Sequence, residues 1–189
     1  MGLPAEKLQP ATYADLEAVP SHLVAEIVNG ELHTMPRPSP KHTETSSMLG
    51  GVLTGPFRLG AGGPGGWRIL DEPELHLGPN VLVPDLAGWT LERMPTLPET
   101  AYFELAPDWV CEILSPSTEA IDRVEKMPIY ARENVRFCWL IDPILKTLEV
   151  FRLNSERRWT VADVYRDAAR VRAEPFDAIE LDLALLWSK

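Results

Sequence analysis

A mixed α+β (mixed α/β) domain around one central sheet is the fold class the sequence predicts, on three observations. Asn29-Gly30 separates two strand-like runs, 23–28 and 31–35, and both residues tolerate the positive φ of a tight hairpin turn. Ser39-Pro40 supplies a cap and a first-turn proline to a run ending at Leu53, in which Met48, Leu49, Val52 and Leu53 recur at helical spacing. From Trp67 on, short apolar runs bounded by Gly, Pro and Asp succeed one another as strands, with one helical stretch among them.

The first element is a short helix, capped by Thr12 and ending before Pro20. The hairpin comes next, and Pro36, Pro38 and Pro40 stiffen the loop into the Ser39 helix. The stretch 60–66 holds five glycines but neither the lysine nor the hydroxyl residue of a phosphate-binding loop, which makes it a plain connection. Strands are expected at 67–77, interrupted by Pro73, at 81–89 and at 109–114, with Gly78-Pro79-Asn80 turning the first into the second. A helix lies between Thr118 and Glu133 and starts or kinks at Pro128, since proline has no N–H to donate and crowds the preceding turn. Strands at 137–141, 147–153 and 159–165 follow, then a tail at 178–187 that is a short strand or a docking helix.

The 189 residues suit one domain, and 45% apolar with 24% charged residues is the balance of a globular protein. No run of about 18 apolar residues and no basic-apolar leader is present, so no membrane contact and a cytoplasmic location are expected. Cys111 and Cys138 lie inside apolar runs without metal-ligand or redox spacing, and are expected as buried free thiols. Six tryptophans suggest an exposed apolar patch and, with it, a homodimer. A net charge of −10 opposes simple electrostatic binding of nucleic acid, except where clustered carboxylates are cancelled by a bound cation.

Two acids stand in runs that otherwise read as buried strand: Asp85 in Val83-Pro84-Asp85-Leu86 and Glu112 in Val110-Cys111-Glu112-Ile113. Buried acids need a cation, a metal or a rim position, because an unpaired carboxylate out of water is costly. Singly, each reads more readily as a salt bridge. As a pair on neighbouring strands they suit a hard divalent cation with room left for water and phosphate. Lys126, in Asp122-Arg123-Val124-Glu125-Lys126 just beyond the Glu112 strand, is the candidate for a compact positive charge beside them.

Several segments, in order, carry a resemblance: Glu26-Ile27-Val28-Asn29-Gly30-Glu31-Leu32, Ser39-Pro40-Lys41-His42, Val83-Pro84-Asp85, Glu112-Ile113-Leu114-Ser115-Pro116-Ser117-Thr118, Asp122 to Lys126, Tyr130-Ala131 and Trp139-Leu140-Ile141-Asp142-Pro143. On these, from about Glu26 to Leu153, the chain resembles the Uma-type family of restriction endonucleases, a branch of the PD-(D/E)xK nuclease superfamily. The resemblance implies a restriction-endonuclease-like core, a central mixed sheet flanked by helices with an N-terminal β-hairpin. The single domain 1–189 then divides into an accessory segment 1–22, a core 23–153 and a strand and tail 154–189. It implies Asp85, Glu112 and Lys126 as catalytic residues, Asp85 and Glu112 as ligands of Mg²⁺ or Mn²⁺, and a nucleic acid, DNA first, as substrate. Leu114 stands where the superfamily's strand motif has lysine, and Lys126 looks like that lysine relocated.

Glu74 is a candidate to complete the metal shell, whereas Glu26 and His42 match family segments and edge the site without entering its core. Two other readings are open: a nuclease-fold protein that has lost catalysis and serves in binding or assembly, and a metal-dependent hydrolase of a small phosphorylated substrate. If Lys126 supplies the charge missing at Leu114, its replacement by alanine is expected to remove most activity and, as for a surface lysine, leave folding intact; a variant that cuts as fast as the parent would make it a solvated helix residue.

Overall fold

The computed structural model describes residues 9–187. The first eight residues of the expected accessory segment and the last two of the expected tail lie outside them. Thr12 caps α1 (Tyr13–Glu17) through a reciprocal pair of bonds with Asp15, so the predicted short helix is present. The hairpin β1 (Leu23–Val28) and β2 (Glu31–Pro36) turns on Asn29 and Gly30 at φ 52° and 85°, the positive pair that the dipeptide allows. Helix α2 (Pro40–Leu53) starts on Ser39, whose side chain accepts from the His42 N–H, and runs on into a wide π-type turn, Thr54–Arg58, that contains Pro56.

Prolines then break what the sequence reads as two long strands. The first becomes β3 (Trp67–Asp71) and β4 (Leu75–Leu77), divided at Pro73; the second becomes β5 (Asn80–Leu82) and β6 (Leu86–Thr90), divided at Pro84. Neither proline can donate to a sheet ladder, and both breaks fall side by side. Glu72, at φ 44°, bridges them by donating its N–H to the Asp85 carbonyl at 3.1 Å. The halves diverge into different sheets, and Asp85 lies in the joint between strands, a correction to its expected place inside one.

The larger sheet is ordered β10-β9-β8-β7-β6-β3, where β7 is Trp109–Ile113, β8 Phe137–Asp142, β9 Thr147–Leu153 and β10 Trp159–Arg166. Only β7 and β8 run parallel, which makes the sheet mixed and obliges a crossover between them. The smaller sheet, β2-β1-β5-β4, takes the hairpin in through the single pair Ile27 and Val81. The crossover is one helical run: α3 (Glu119–Ile121), a π-type turn (Asp122–Lys126) and α4 (Met127–Arg132). The Met127 N–H reaches back five residues to Asp122, and Pro128, which cannot donate, sits in the first turn of α4. The proline is therefore absorbed by a widened turn within a continuous helical run, whose tighter part begins at Met127, one residue before the expected position.

Side-chain alternation along β7 and β8 sends Trp109, Cys111, Ile113, Trp139 and Ile141 to one face of the large sheet, under α2 and the tail. It sends Val110, Cys138 and Leu140 to the other face, under the crossover helix and the small sheet. Glu112, by the same alternation, faces the crossover helix. Both cysteines are buried and free, as expected. The tail proves to be both of its alternatives: β12 (Leu181–Asp182) pairs with β11 (Arg170–Val171), and a 3₁₀ turn, Leu183–Leu186, follows. Phe176 lies within 4.7 to 5.6 Å, centroid to centroid, of Phe57, Trp67, Trp109 and Trp139.

The tryptophans serve this core. Trp89, Trp109 and Trp139 are wholly buried, and Trp67, Trp159 and Trp187 at least partly so, which corrects the expectation of an exposed tryptophan patch. Phe176→Ala should cost about 3 to 5 kcal/mol, the usual loss for removing a fully buried ring. Urea unfolding followed by tryptophan fluorescence measures it, and a change below about 1 kcal/mol would mean that the tail is peripheral to the core.

Candidate active site

The strand breaks and the crossover helix meet at one cleft of about 340 Å³, whose walls include Glu26, His42, Asp85, Glu112, Asp122 and Lys126. Pro84 is the origin of much of this geometry. With the ladder interrupted, the Val83 N–H has no strand partner and donates instead to Glu26 Oε1 at 2.6 Å. Two residues on, Asp85 accepts the Ile113 N–H through Oδ2 at 2.6 Å, so the carboxylate is clamped against the end of β7, next to Glu112. Its other oxygen lies 3.2 Å from His42 Nε2, in the first turn of α2.

Lys126 occupies the floor. Its Nζ lies 2.9 Å from Glu112 Oε1, 3.0 Å from Glu26 Oε1 and 3.3 Å from Asp122 Oδ1, one acid each from β7, β1 and its own helix. Spacing of four residues brings Asp122, Lys126 and Tyr130 to one side of the helix, and the Tyr130 hydroxyl completes the group by donating to Glu112 Oε1 at 2.6 Å. Lysine has three N–H donors, and the three carboxylates match them.

With only 3% of its side chain exposed, Lys126 is no surface residue. The expectation that its loss would leave folding intact is therefore corrected: a buried ammonium holds three buried acids together, and removing it strands them.

The electrostatics follow from burial. Among the residues lining the cleft, which also include Glu72 and Arg37, the four carboxylates of Glu26, Asp85, Glu112 and Asp122 gather around one ammonium, Lys126, and one imidazole, His42. Burial pushes the Glu112 carboxyl well above the usual carboxylate range, against the opposing pull of Lys126. Asp122 is raised for the same reasons in the same order. Burial works to lower Lys126, but Glu112 and Glu26 outweigh it and hold the amine firmly protonated. His42 is likewise opposed by burial, yet its bond to Asp85 and that acid's charge raise it above the ordinary imidazole value.

Of the residues expected from sequence, Asp85, Glu112 and Lys126 are brought to this cleft. Glu74 is not. It accepts the Tyr13 hydroxyl at 2.9 Å and meets His76 Nε2 at 2.8 Å, and it lines a neighbouring hollow, so its carboxylate has other partners. Glu26 and His42, expected at the edge, are in direct contact with the central charges. Asp122 and Tyr130 were legible only as members of family segments; the four-residue spacing 122, 126, 130 is the signal that marks them.

Comparisons with known proteins bear on the whole assembly. The Uma2 family model, described as "Putative restriction endonuclease", matches residues 10–185. A crystal structure described as "a putative nuclease belonging to DUF820 from Anabaena variabilis ATCC 29413" is similar at TM-score 0.75 and 23% identity, covering 94% of this chain and 98% of that chain. That likeness shows that the two chains share the mixed α+β fold described above. Among curated proteins nothing matches.

Lys126→Met should destabilise the metal-free protein by about 3 to 5 kcal/mol near pH 8, the range for breaking a buried ion pair. An acid whose folded pKa is raised costs stability as pH rises above its unfolded value near 4.3, because the folded state holds the proton that the unfolded state releases. Without the lysine the upward shifts of Glu112 and Asp122 grow. The penalty should therefore shrink as pH is lowered from 8 to 5. Urea unfolding of parent and variant across that window checks this, and a penalty independent of pH would place the cost in lost packing.

Proposed function

The chain belongs to the Uma2 restriction endonuclease family, and on that premise we propose that it is a Mg²⁺- or Mn²⁺-dependent endonuclease hydrolysing phosphodiester bonds of nucleic acid, DNA first. The observation that carries the reading is the convergence of Asp85, Glu112 and Lys126 on one cleft floor from three separate elements. Among the described residues no three His, Cys, Asp or Glu side chains form a ready metal cage. Two acidic oxygen donors with water and substrate completing the shell suit Mg²⁺, which gives up its waters reluctantly. The excess of carboxylates over cations at the floor fits such a guest. Bound there, the cation would lower the pKa of water and stabilise charge on the phosphate oxygens.

The chain's own residues then have distinct tasks. Asp85, fixed by the Ile113 N–H and His42, presents its carboxylate without further reorganisation. Glu112 is oriented by the Tyr130 hydroxyl and the Lys126 ammonium. Lys126 acts through Glu112, because all three of its donors already face carboxylates; reaching a phosphate would require one of those pairs to open. Glu74 is left out of the metal set, on the contacts that hold it elsewhere. A cytoplasmic location and a homodimer belong to the same reading. Among the described residues no helix is long and apolar enough to cross a membrane, and β10, at the edge of the large sheet, leaves Val161 and Val164 more than half exposed.

The full engagement of Lys126 also favours a second reading, in which the nuclease fold binds or assembles without cleaving. Incubation of supercoiled plasmid, single-stranded DNA and RNA with Mg²⁺ and with Mn²⁺ separates the two. Cleavage should appear with either cation, vanish in chelator and fall at least about a hundredfold in Asp85→Asn, a loss on the scale of one transition-state contact. Calorimetric titration with Mn²⁺ should show binding in the parent that Asp85→Asn weakens. Cation binding without cleavage of any substrate would favour the non-cleaving reading. Sedimentation should give a particle of twice 21.1 kDa, and one of 21.1 kDa at micromolar concentration would reject the dimer.

A further inference from the structure

The cleft restricts what can enter it, and the restriction depends on the nuclease reading above. At about 340 Å³ it stands at the small end of pockets that enclose a single ligand, too small for a duplex segment. Extended binding of nucleic acid, and most of all of duplex with its denser phosphates, relies on rows of lysine and arginine that displace counterions, so a site without such a row can engage only a short stretch of backbone. Among the described residues lining this cleft the one exposed cation is Arg37, since Lys126 is buried among carboxylates and His42 faces Asp85. The overall charge of −10 adds nothing to replace that row.

The wall chemistry points the other way. Val24, Met35, Pro36, Pro38 and Pro116 also line the cleft with its acidic floor, an aliphatic surface that can cover the face of a base or sugar by apolar contact, without aromatic stacking. A second hollow of about 260 Å³ adjoins it and shares Val24, Arg37, Glu72 and Val83. Arg37 thus stands where two small spaces meet, its guanidinium tethered by donation to the Ser21 carbonyl at 3.0 Å. Glu72, the acid common to both spaces, confines the favourable field to the vicinity of Arg37.

We propose that the site accepts a single unpaired strand. One base rests against the apolar walls, its phosphodiester lies over the Asp85 and Glu112 floor, and the adjoining phosphate meets Arg37 at the entrance to the second hollow. A paired base cannot leave its partner to occupy the walls without an unstacking cost, so duplex is disfavoured unless it frays or carries an unpaired stretch. Water supplies the oxygen that joins the phosphorus as the bond to the leaving sugar oxygen breaks, and that oxygen departs with a proton.

The experiment uses a fluorescein-labelled oligonucleotide as single strand, as perfect duplex and as duplex with a central unpaired bubble. Anisotropy in chelator reads binding and Mn²⁺ reads cleavage. Single strand should bind at least about tenfold more tightly than duplex, and Arg37→Ala should lower the salt slope of that binding by about 0.7, the loss of one phosphate contact. Cleavage should fall on the single strand and within the bubble. Perfect duplex bound and cut as well as single strand would overturn the inference while leaving the nuclease reading intact. Single-strand binding with the Arg37 effect, but without cleavage of any substrate, would retain the inference and reject the cleavage reading. A mononucleotide that competes as well as the oligonucleotide would overturn the two-hollow arrangement.

Discussion

A buried ammonium surrounded by three carboxylates is the interaction on which this architecture turns. Lys126 ties the crossover helix to β7 through Glu112 and to β1 through Glu26, so one side chain joins the large sheet, the small sheet and the helix that packs against both. Such a group is a weak source of stability alone, since well-packed apolar residues of similar volume usually serve as well or better. Its presence in the interior marks a place where charge is needed, and the cleft opens directly above it.

The backbone irregularities around this group are its supports. Pro73 and Pro84 interrupt their strands at the same level, which frees the Val83 N–H for Glu26 and leaves Asp85 in a joint where its carboxylate can turn to the end of β7. The widened turn at Asp122–Lys126 does the corresponding work on the helix. It absorbs the missing donor of Pro128 and keeps Asp122, Lys126 and Tyr130 on the side facing Glu112. Both devices give up regular hydrogen bonding close to the cleft; the strand joint recovers it with the side-chain oxygens of Glu26 and Asp85, and the helix with a five-residue bond to the Asp122 carbonyl.

The regular elements of the fold were legible because local chemistry decides them. Thr12, Asn29-Gly30, Ser39-Pro40 and Gly78-Pro79-Asn80 each act over a few residues and formed the caps and turns expected of them. Asp85 and Glu112 were legible as acids in apolar surroundings. The rest depended on distance. No periodicity shows that the halves of a proline-broken strand go to different sheets, that Glu26 lies against a lysine a hundred positions away, or that Glu74 is claimed by Tyr13 and His76. The burial of Lys126 was hidden for a similar reason: beside Glu125 in a polar run, its sequence surroundings are those of a solvated helix face.

The aromatic nest around Phe176 bears on how the chain reaches this state during synthesis. Trp109 and Trp139 belong to strands completed well before Phe176, yet their faces are covered by that ring and by the tail behind it. Until the segment 171–187 leaves the ribosome, that face of the sheet has only the cover that α2 supplies, and a growing chain would carry the rest of it open to solvent. Chaperone dependence and aggregation of products cut short before this segment are the expected marks of a sheet face closed by residues made after its strands.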